Sequence, residues 1–121
     1  EAYQWGWIFN YPKHENVSTS RKIVLPVDST IYFSVSSRDV VHSFSVPEMG
    51  LKQDAFPGEE NVIMTRTTEQ GTFQGYCIEF CGVSHSKMTF TVDVMSESEY
   101  RGWLGEQEQR PGDEDGQESE A

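Results

Sequence analysis

The feature that most limits how this chain can fold is a short run that holds both of its cysteines. The run reads CIEFCGVSHSKM, from Cys77 to Met88, and it also contains His85. Strand-like segments flank it at 72–76 and 88–95. Two thiolates, an imidazole and a thioether are ligands that favour copper. A loop held by two strands is a suitable place for a rigid metal site.

Short strand-like segments separated by turns make up most of the chain. Apolar and β-branched residues concentrate in the ranges 23–27, 31–35, 40–46, 61–68, 72–76 and 88–95. Proline and glycine residues mark the range 47–60 as irregular. This pattern is typical of an antiparallel β-sandwich or barrel, so we expect an all-β protein.

The two ends of the chain depart from this pattern. Residues 1–12 carry aromatic side chains on odd positions, which predicts one extended strand with an aromatic face: Tyr3, Trp5, Trp7, Phe9 and Tyr11. Ser96 and Glu99 match a capping box ahead of one short C-terminal helix. We expect the folded domain to cover 1–104 and the acidic remainder, 105–121, to be a disordered tail.

The formal charge of −11 excludes a nucleic-acid partner, because phosphate binding needs clustered Lys and Arg. About half of this charge lies in the tail. The rest is consistent with solubility, with a surface that attracts a basic partner, or with adaptation to high salt. No stretch approaches the roughly 18 apolar residues of a membrane span. The chain opens on an aromatic segment without an initiator Met, which suggests a trimmed fragment.

Four kinds of site fit parts of the cysteine run. A disulfide between Cys77 and Cys81 would close a short loop and stabilise little, and it leaves His85 and Met88 without a role. Structural zinc usually adds a second pair of clustered ligands and does not use Met. A mononuclear blue-copper site needs one thiolate. A dinuclear copper centre uses both thiolates as bridges.

The dinuclear arrangement needs ligands beyond the two thiolates. His85 and His42 would each supply an imidazole, and Met88 would supply one axial ligand. A backbone carbonyl, best placed at Glu79, would supply the other. On spacing alone, His42 is more typical of a hydrogen-bonded core residue than of a ligand. His14 lies in a polar segment, and we expect it to be solvated.

Three motifs in order resemble one known family. They are QWGWIFNY near the start, DVVHSFSVPEMGLKQDAFPG in the middle and CIEFCGVSHSKM, and together they span roughly residues 3–104. The chain resembles the CuA domain of subunit II of the haem-copper cytochrome c oxidases. This resemblance implies a cupredoxin fold, which is a Greek-key β-sandwich. It also implies two transmembrane helices ahead of Glu1 in the full protein.

The resemblance also implies roles for individual residues. The implied copper ligands are the bridging thiolates of Cys77 and Cys81, the imidazoles of His42 and His85, the Met88 thioether and the Glu79 carbonyl. The Glu79 carboxylate matches a position that in many relatives binds a magnesium ion shared with subunit I. Trp5 resembles the tryptophan through which electrons enter. Asp39 and Asp54 fall in a matched segment, where they would steady the ligand loops or line an interface, and Phe44 stands where many relatives have Trp.

The family function is electron transfer within a respiratory enzyme. The domain would accept electrons from cytochrome c, or from a small blue-copper protein, and pass them to haem in subunit I of a proton-pumping oxidase. It would lie on the extracytoplasmic face of the cell membrane or on the mitochondrial intermembrane side. With every ligand position filled, the domain itself has no catalytic site. The alternatives are the CuA domain of nitrous oxide reductase and a metal-free domain with a Cys77–Cys81 disulfide.

Overall fold

Short β-strands dominate the residues that the computed structural model describes, which are 1–14, 17–78 and 88–109. The strands in chain order are β1 (Ala2–Tyr3), β2 (Gly6–Asn10), β3 (Ser18–Ser20), β4 (Lys22–Pro26), β5 (Thr30–Val35), β6 (His42–Val46), β7 (Leu51–Ala55), β8 (Asn61–Arg66), β9 (Gly71–Cys77) and β10 (Thr89–Met95). A 3-10 helix, Pro47–Met49, follows β6, and the helix α1 spans Glu97–Gln109.

The strands form a sandwich. The larger sheet has the order β4-β10-β9-β6-β7, a second sheet pairs β5 with β8, and the N-terminal strands form a third in the order β1-β2-β3. Apolar side chains of β5 and β8, among them Phe33 and Ile63, pack against the core of the larger sheet. The predicted all-β sandwich with a C-terminal helix is confirmed. It is not wholly antiparallel, because β4 and β10 pair in parallel.

Aromatic rings fill the core beneath the larger sheet. Strand β10 alternates as the sequence predicts, with Phe90, Val92 and Val94 all buried. Phe90 lies over Gly75 of β9, and a Cβ atom on Gly75 would come within 2.1 Å of the Phe90 ring. Only glycine therefore leaves room for this ring beside the neighbouring strand. Phe44 of β6 stacks on Phe90 with ring centroids 5.3 Å apart.

The N-terminal segment is not one continuous strand, although its aromatic residues suggested that. It folds back on itself, so that β1 pairs antiparallel with β2 and Trp5 lies in the turn between them. The turn separates two neighbours on the predicted aromatic face. Trp5 is 38% exposed, whereas Trp7 on β2 is 2% exposed.

One strand lies in the range that was expected to be irregular. Strand β7 pairs antiparallel with β6 and forms the edge of the larger sheet. Leu51 and Ala55 are its buried residues, and three polar residues separate them. Strand β6 begins at His42, so Val40 and Val41 precede it and are exposed.

The helix begins with the predicted capping box. The Glu99 N–H donates to Ser96 Oγ at 3.2 Å, and the Ser96 N–H donates to Glu99 Oε1 at 3.2 Å. The helix continues to Gln109, past the expected boundary at residue 104. The rest of the acidic segment, 110–121, lies outside the described residues. Neither helix in the described ranges has the length and apolar character needed to cross a bilayer.

Candidate metal centre

The ends of three neighbouring strands meet on the same side of the larger sheet. Strand β6 begins at His42, β9 ends at Cys77, and Met88 directly precedes β10. Strand β9 is antiparallel to both of its neighbours, with Phe44 opposite Cys77 and Thr89 opposite Tyr76. The start of β6, the end of β9 and the start of β10 therefore lie side by side. Sheet pairing thus brings together three of the residues that the sequence marked as copper ligands.

His42 and Cys77 face each other in a buried environment. The His42 Nδ1 and Cys77 Sγ atoms are 3.9 Å apart, and the two residues are 0% and 5% exposed. Metal bonds of about 2.3 Å to sulfur and about 2.0 Å to nitrogen, at a tetrahedral angle, put the ligand atoms roughly 3.5 Å apart. The Ser43 N–H also points at the Cys77 sulfur, at 3.4 Å. The pair is therefore spaced as two ligands of one metal ion would be.

Asp39 holds the other side of the His42 ring. The His42 Nε2 atom lies 2.9 Å from Asp39 Oδ1. The carboxylate also accepts the backbone N–H groups of Gln4 at 2.8 Å and of Val40 at 2.6 Å. Burial raises the pKa of Asp39, but these hydrogen bonds and the imidazole outweigh it, so its pKa is lowered overall. The ionised Asp39 carboxylate thus fixes the ring from its Nε2 side, and the Nδ1 atom faces Cys77.

Met88 lies directly across from Cys77 where the β9–β10 loop opens. Its carbonyl oxygen accepts the Cys77 N–H at 3.1 Å and the indole N–H of Trp7 at 3.3 Å. Met88 is 1% exposed. The two ends of the ligand-bearing loop are therefore joined by a hydrogen bond and buried together.

The other predicted ligands, Glu79, Cys81 and His85, lie outside the described residues. Over 1–14, 17–78 and 88–109, no group of three or more His, Cys, Asp or Glu side chains could hold a metal ion. The described part of the site thus contributes one imidazole, one thiol and the Met88 residue.

The remaining predicted site residues are distributed between the core and the surface. Phe44 is 2% exposed and meets the Trp7 ring edge-on, at a centroid distance of 5.9 Å. Asp54 lies on β7, opposite Ser43, and its carboxylate accepts a hydrogen bond from Lys52 at 3.3 Å. Trp5 lies at the surface, next to Gln4, whose N–H is bound by Asp39. A short chain of contacts therefore links the exposed tryptophan to the buried imidazole.

Two residues near the site were not singled out from the sequence. Trp7 was grouped with the aromatic face, yet its indole N–H binds the Met88 carbonyl. The Ser43 hydroxyl is buried and has no hydrogen-bond partner within the described ranges. The available signal for Ser43 was its place directly after the candidate ligand His42 in a strand that is buried throughout. No sequence signal distinguished Trp7 from a core residue.

Comparison with known proteins gives a consistent family. The sequence model of the family "Cytochrome C oxidase subunit II, periplasmic domain" matches residues 13–95. A probable cytochrome c oxidase subunit 2 of Rickettsia prowazekii is 33% identical over 123 residues, covering 85% of this chain and 39% of that protein. Cytochrome c oxidase subunit 2 of Cereibacter sphaeroides is 43% identical over 88 residues, covering 73% of this chain and 29% of that protein. The chain thus spans less than half the length of these relatives.

Solved structures agree with the sequence comparison. The periplasmic domain of subunit II of cytochrome oxidase of Bradyrhizobium japonicum superposes with a TM-score of 0.83 at 28% identity, covering 87% of each chain. A mixed-disulfide intermediate between a thioredoxin-like protein and subunit II of cytochrome c oxidase matches with a TM-score of 0.79 at 27% identity, covering 88% of this chain and 86% of that chain. The expected cupredoxin-like β-sandwich is confirmed, and the chain belongs to the family of periplasmic domains of cytochrome c oxidase subunit II.

Proposed function

We propose that this domain holds a dinuclear copper centre of the CuA type and carries electrons in a terminal oxidase. The observation that carries the proposal is the buried His42–Cys77 pair, with the His42 ring fixed from behind by an ionised Asp39. Cys77 and Cys81 would bridge the metals, and His42 and His85 would be the terminal ligands. The Met88 thioether and the Glu79 carbonyl would complete the set.

Bound copper would supply a one-electron redox unit whose charge is shared over two ions. The residues of this chain would keep its geometry constant between redox states. His42 is fixed by Asp39, and Cys77 ends a strand that is paired on both sides. The aromatic rings of Phe44 and Phe90 pack below the site and exclude water. Restricted motion of the ligands and the exclusion of water both lower the reorganisation energy of electron transfer.

The surface beside the site is suited to a redox partner. Trp5, Val40 and Val41 are each 38% exposed, and Ile78 is 47% exposed, in segments that adjoin Asp39, His42 or Cys77. Exposed apolar residues that neighbour a functional site mark an interaction surface. The acidic composition attracts a basic donor. We therefore assign cytochrome c, or a small copper protein, as the donor that binds this surface, with Trp5 receiving the electron.

The acceptor in this proposal is haem in subunit I of the oxidase. The domain would lie on the extracytoplasmic side and be anchored to the membrane by helices of the full-length protein. The Glu79 carboxylate would bind magnesium at the contact with subunit I. The family match supports an oxidase over nitrous oxide reductase, because the relatives found are oxidase subunits.

The state of the cysteines bears on how the site is loaded. A solved relative, subunit II of cytochrome c oxidase, is caught in a mixed disulfide with a thioredoxin-like protein. We assign reduction of a Cys77–Cys81 disulfide, by a partner of that class, as the step before metal binding. The oxidised domain should then take up copper only after reduction. Equal uptake by the oxidised and reduced forms would exclude this step.

Stopped-flow reduction of the copper-loaded domain by reduced cytochrome c tests the function. We expect rapid electron transfer whose rate falls as salt rises. Trp5→Ala should slow the reaction and leave the copper spectrum unchanged. The matched control is Tyr32→Ala, which removes a 69% exposed aromatic from β5 in the second sheet. Equal rates for the two variants would contradict the role of Trp5. The function itself would be contradicted if neither reduced cytochrome c nor a reduced small copper protein transferred an electron to the domain.

A further inference from the structure

Trp7 of the N-terminal sheet packs directly against the candidate site. It lies on β2 and is 2% exposed, so its indole ring is enclosed by the core. Its ring centroid is 6.4 Å from that of His42 and 5.2 Å from that of Phe90. Its N–H donates to the Met88 carbonyl across a separation of 81 residues in sequence. Trp7 therefore contacts both the β6 side and the β10 side of the site.

The Met88 carbonyl, directly ahead of β10, accepts hydrogen bonds from residues of two other strands. The Cys77 N–H of β9 and the Trp7 indole of β2 both donate to it, at 3.1 Å and 3.3 Å. One lone pair is available for each donor, so the two hydrogen bonds together fix the plane of this peptide group. The residue that carries this carbonyl also carries the proposed axial thioether. A rotation of the peptide would move the thioether and the strand end at Cys77 together.

Packing and hydrogen bonding by Trp7 can be separated chemically. A phenylalanine at this position would retain an aromatic ring among Phe44 and Phe90 but would lack the N–H. The Met88 carbonyl would keep the Cys77 N–H, so the strand pairing would persist while the peptide lost its second restraint. A buried indole N–H usually finds a partner, and here the partner belongs to a proposed ligand residue.

We infer that Trp7 is a positioning residue of the metal centre, which sets the orientation of the Met88 peptide and thereby the geometry of the axial ligand. The inference deepens the proposed copper function and rests on it. It gives the N-terminal sheet a role in tuning the redox site, separate from the surface role proposed for Trp5.

The test compares Trp7→Phe with Trp103→Phe. Trp103 lies on α1, is half-buried, and packs on Tyr11 with ring centroids 5.4 Å apart. Both variants exchange one indole for a phenyl ring, and only the first touches the candidate site. We expect Trp7→Phe to bind two copper ions, to change the copper hyperfine splitting and to release copper on the order of 10-fold faster. Trp103→Phe should keep the wild-type spectrum and release rate.

A second readout uses the metal-free protein. The Cys77 amide should exchange its hydrogen faster in Trp7→Phe than in the wild type, because its acceptor has lost a restraint. The Trp7 indole hydrogen of the wild type should itself exchange slowly. An unchanged spectrum, release rate and Cys77 exchange in Trp7→Phe would overturn the inference, as would rapid exchange of the wild-type indole hydrogen even if the variant failed to fold. Failure of the copper function is distinguished by the metal content of the wild type.

Discussion

His42 and His14 each pair with a carboxylate at nearly the same distance, but the two pairs lie in different surroundings. The His42 Nε2 atom is 2.9 Å from Asp39, and the His14 Nδ1 atom is 2.8 Å from Glu108. The His42 side chain is fully buried, whereas the His14 side chain is 35% exposed. Water screens the second pair and competes for both of its partners, so it contributes little.

What sets His42 apart is the atom that lies opposite its other ring nitrogen. In His42 that nitrogen faces the sulfur of Cys77, and the partner carboxylate is itself held by two backbone N–H groups. His14 joins the loop after β2 to α1 at the surface. A histidine–carboxylate distance therefore does not identify a metal ligand. Burial and the atom opposite the other nitrogen are what favour His42 as the proposed ligand, and the region around each histidine should respond differently to substitution.

The largest difference is expected when each imidazole is removed. His42→Ala deletes a proposed terminal ligand, so the domain should lose its two-copper spectrum. His14→Ala should load copper like the wild type. Metal analysis and EPR of both reconstituted variants measure this contrast. Normal loading of His42→Ala would show that the buried imidazole is a core residue and not a ligand.

The partner carboxylates give the next largest contrast. Asp39→Asn keeps the shape of the side chain but removes the charge that orients the His42 Nε2 proton. Losing such a partner typically weakens metal binding by about 10–100-fold. Glu108→Gln makes the matching change at His14 and should leave copper affinity unchanged. Competition with a copper chelator measures both affinities, and equal values would remove the assigned role of Asp39.

The region around His14 should affect stability rather than metal binding, and Tyr11 tests this. The His14 N–H donates to the Tyr11 carbonyl, while the Tyr11 hydroxyl donates to the Val24 carbonyl at 3.1 Å and accepts the Val24 N–H at 2.8 Å. Tyr11→Phe removes the hydroxyl, so the Val24 N–H and carbonyl of β4 lose this hydrogen-bond partner. We expect the free energy of unfolding to fall by about 1–3 kcal/mol, with copper loading unchanged.

The same residue gives a dependence on pH. Burial is the main cause that raises the pKa of Tyr11 above its ordinary value. The unfolded chain then loses this proton near pH 10 while the folded protein retains it, so the free energy of unfolding should decrease as pH rises above about 10. Denaturant unfolding at several alkaline pH values should show a shallower decline for Tyr11→Phe. Parallel declines would assign the effect to other groups.

The smallest effect is expected for the exposed ion pair. Glu108→Gln should lower the free energy of unfolding by no more than about 0.5 kcal/mol, because both partners are partly solvated. The loss should shrink as salt is added. A loss as large as that of Tyr11→Phe would mean that the surface pair stabilises the helix end as strongly as a buried hydrogen bond.

The strand pattern predicted much of the sandwich because alternation and β-branched residues mark buried faces. Strands β4, β5, β8, β9 and β10 lie where those signals are strong. Strand β7 was missed because Leu51 and Ala55 are its buried residues and polar residues fill the positions between them. The turn at Trp5 was missed because the odd-numbered aromatic residues continue through it. Both features depend on pairing with the neighbouring strand, which the apolar pattern of these segments does not reveal.

The site was predictable where it depends on spacing and unpredictable where it depends on packing. Cys77 and Met88 flank a loop between two recognisable strands, so their closeness follows from the hairpin. His42 lies in a distant segment, and only the resemblance raised it above an ordinary buried histidine. The contact between Trp7 and Met88 joins residues that no motif connects. Such roles arise from tertiary contacts, so they become visible only in the folded chain.

Copper content and EPR of the reconstituted wild-type domain test the central claim most directly. The proposed ligand set predicts two copper ions per chain and hyperfine structure from two equivalent copper nuclei. One copper ion with a single-nucleus pattern, or a domain that binds no copper after its cysteines have been reduced, would contradict it.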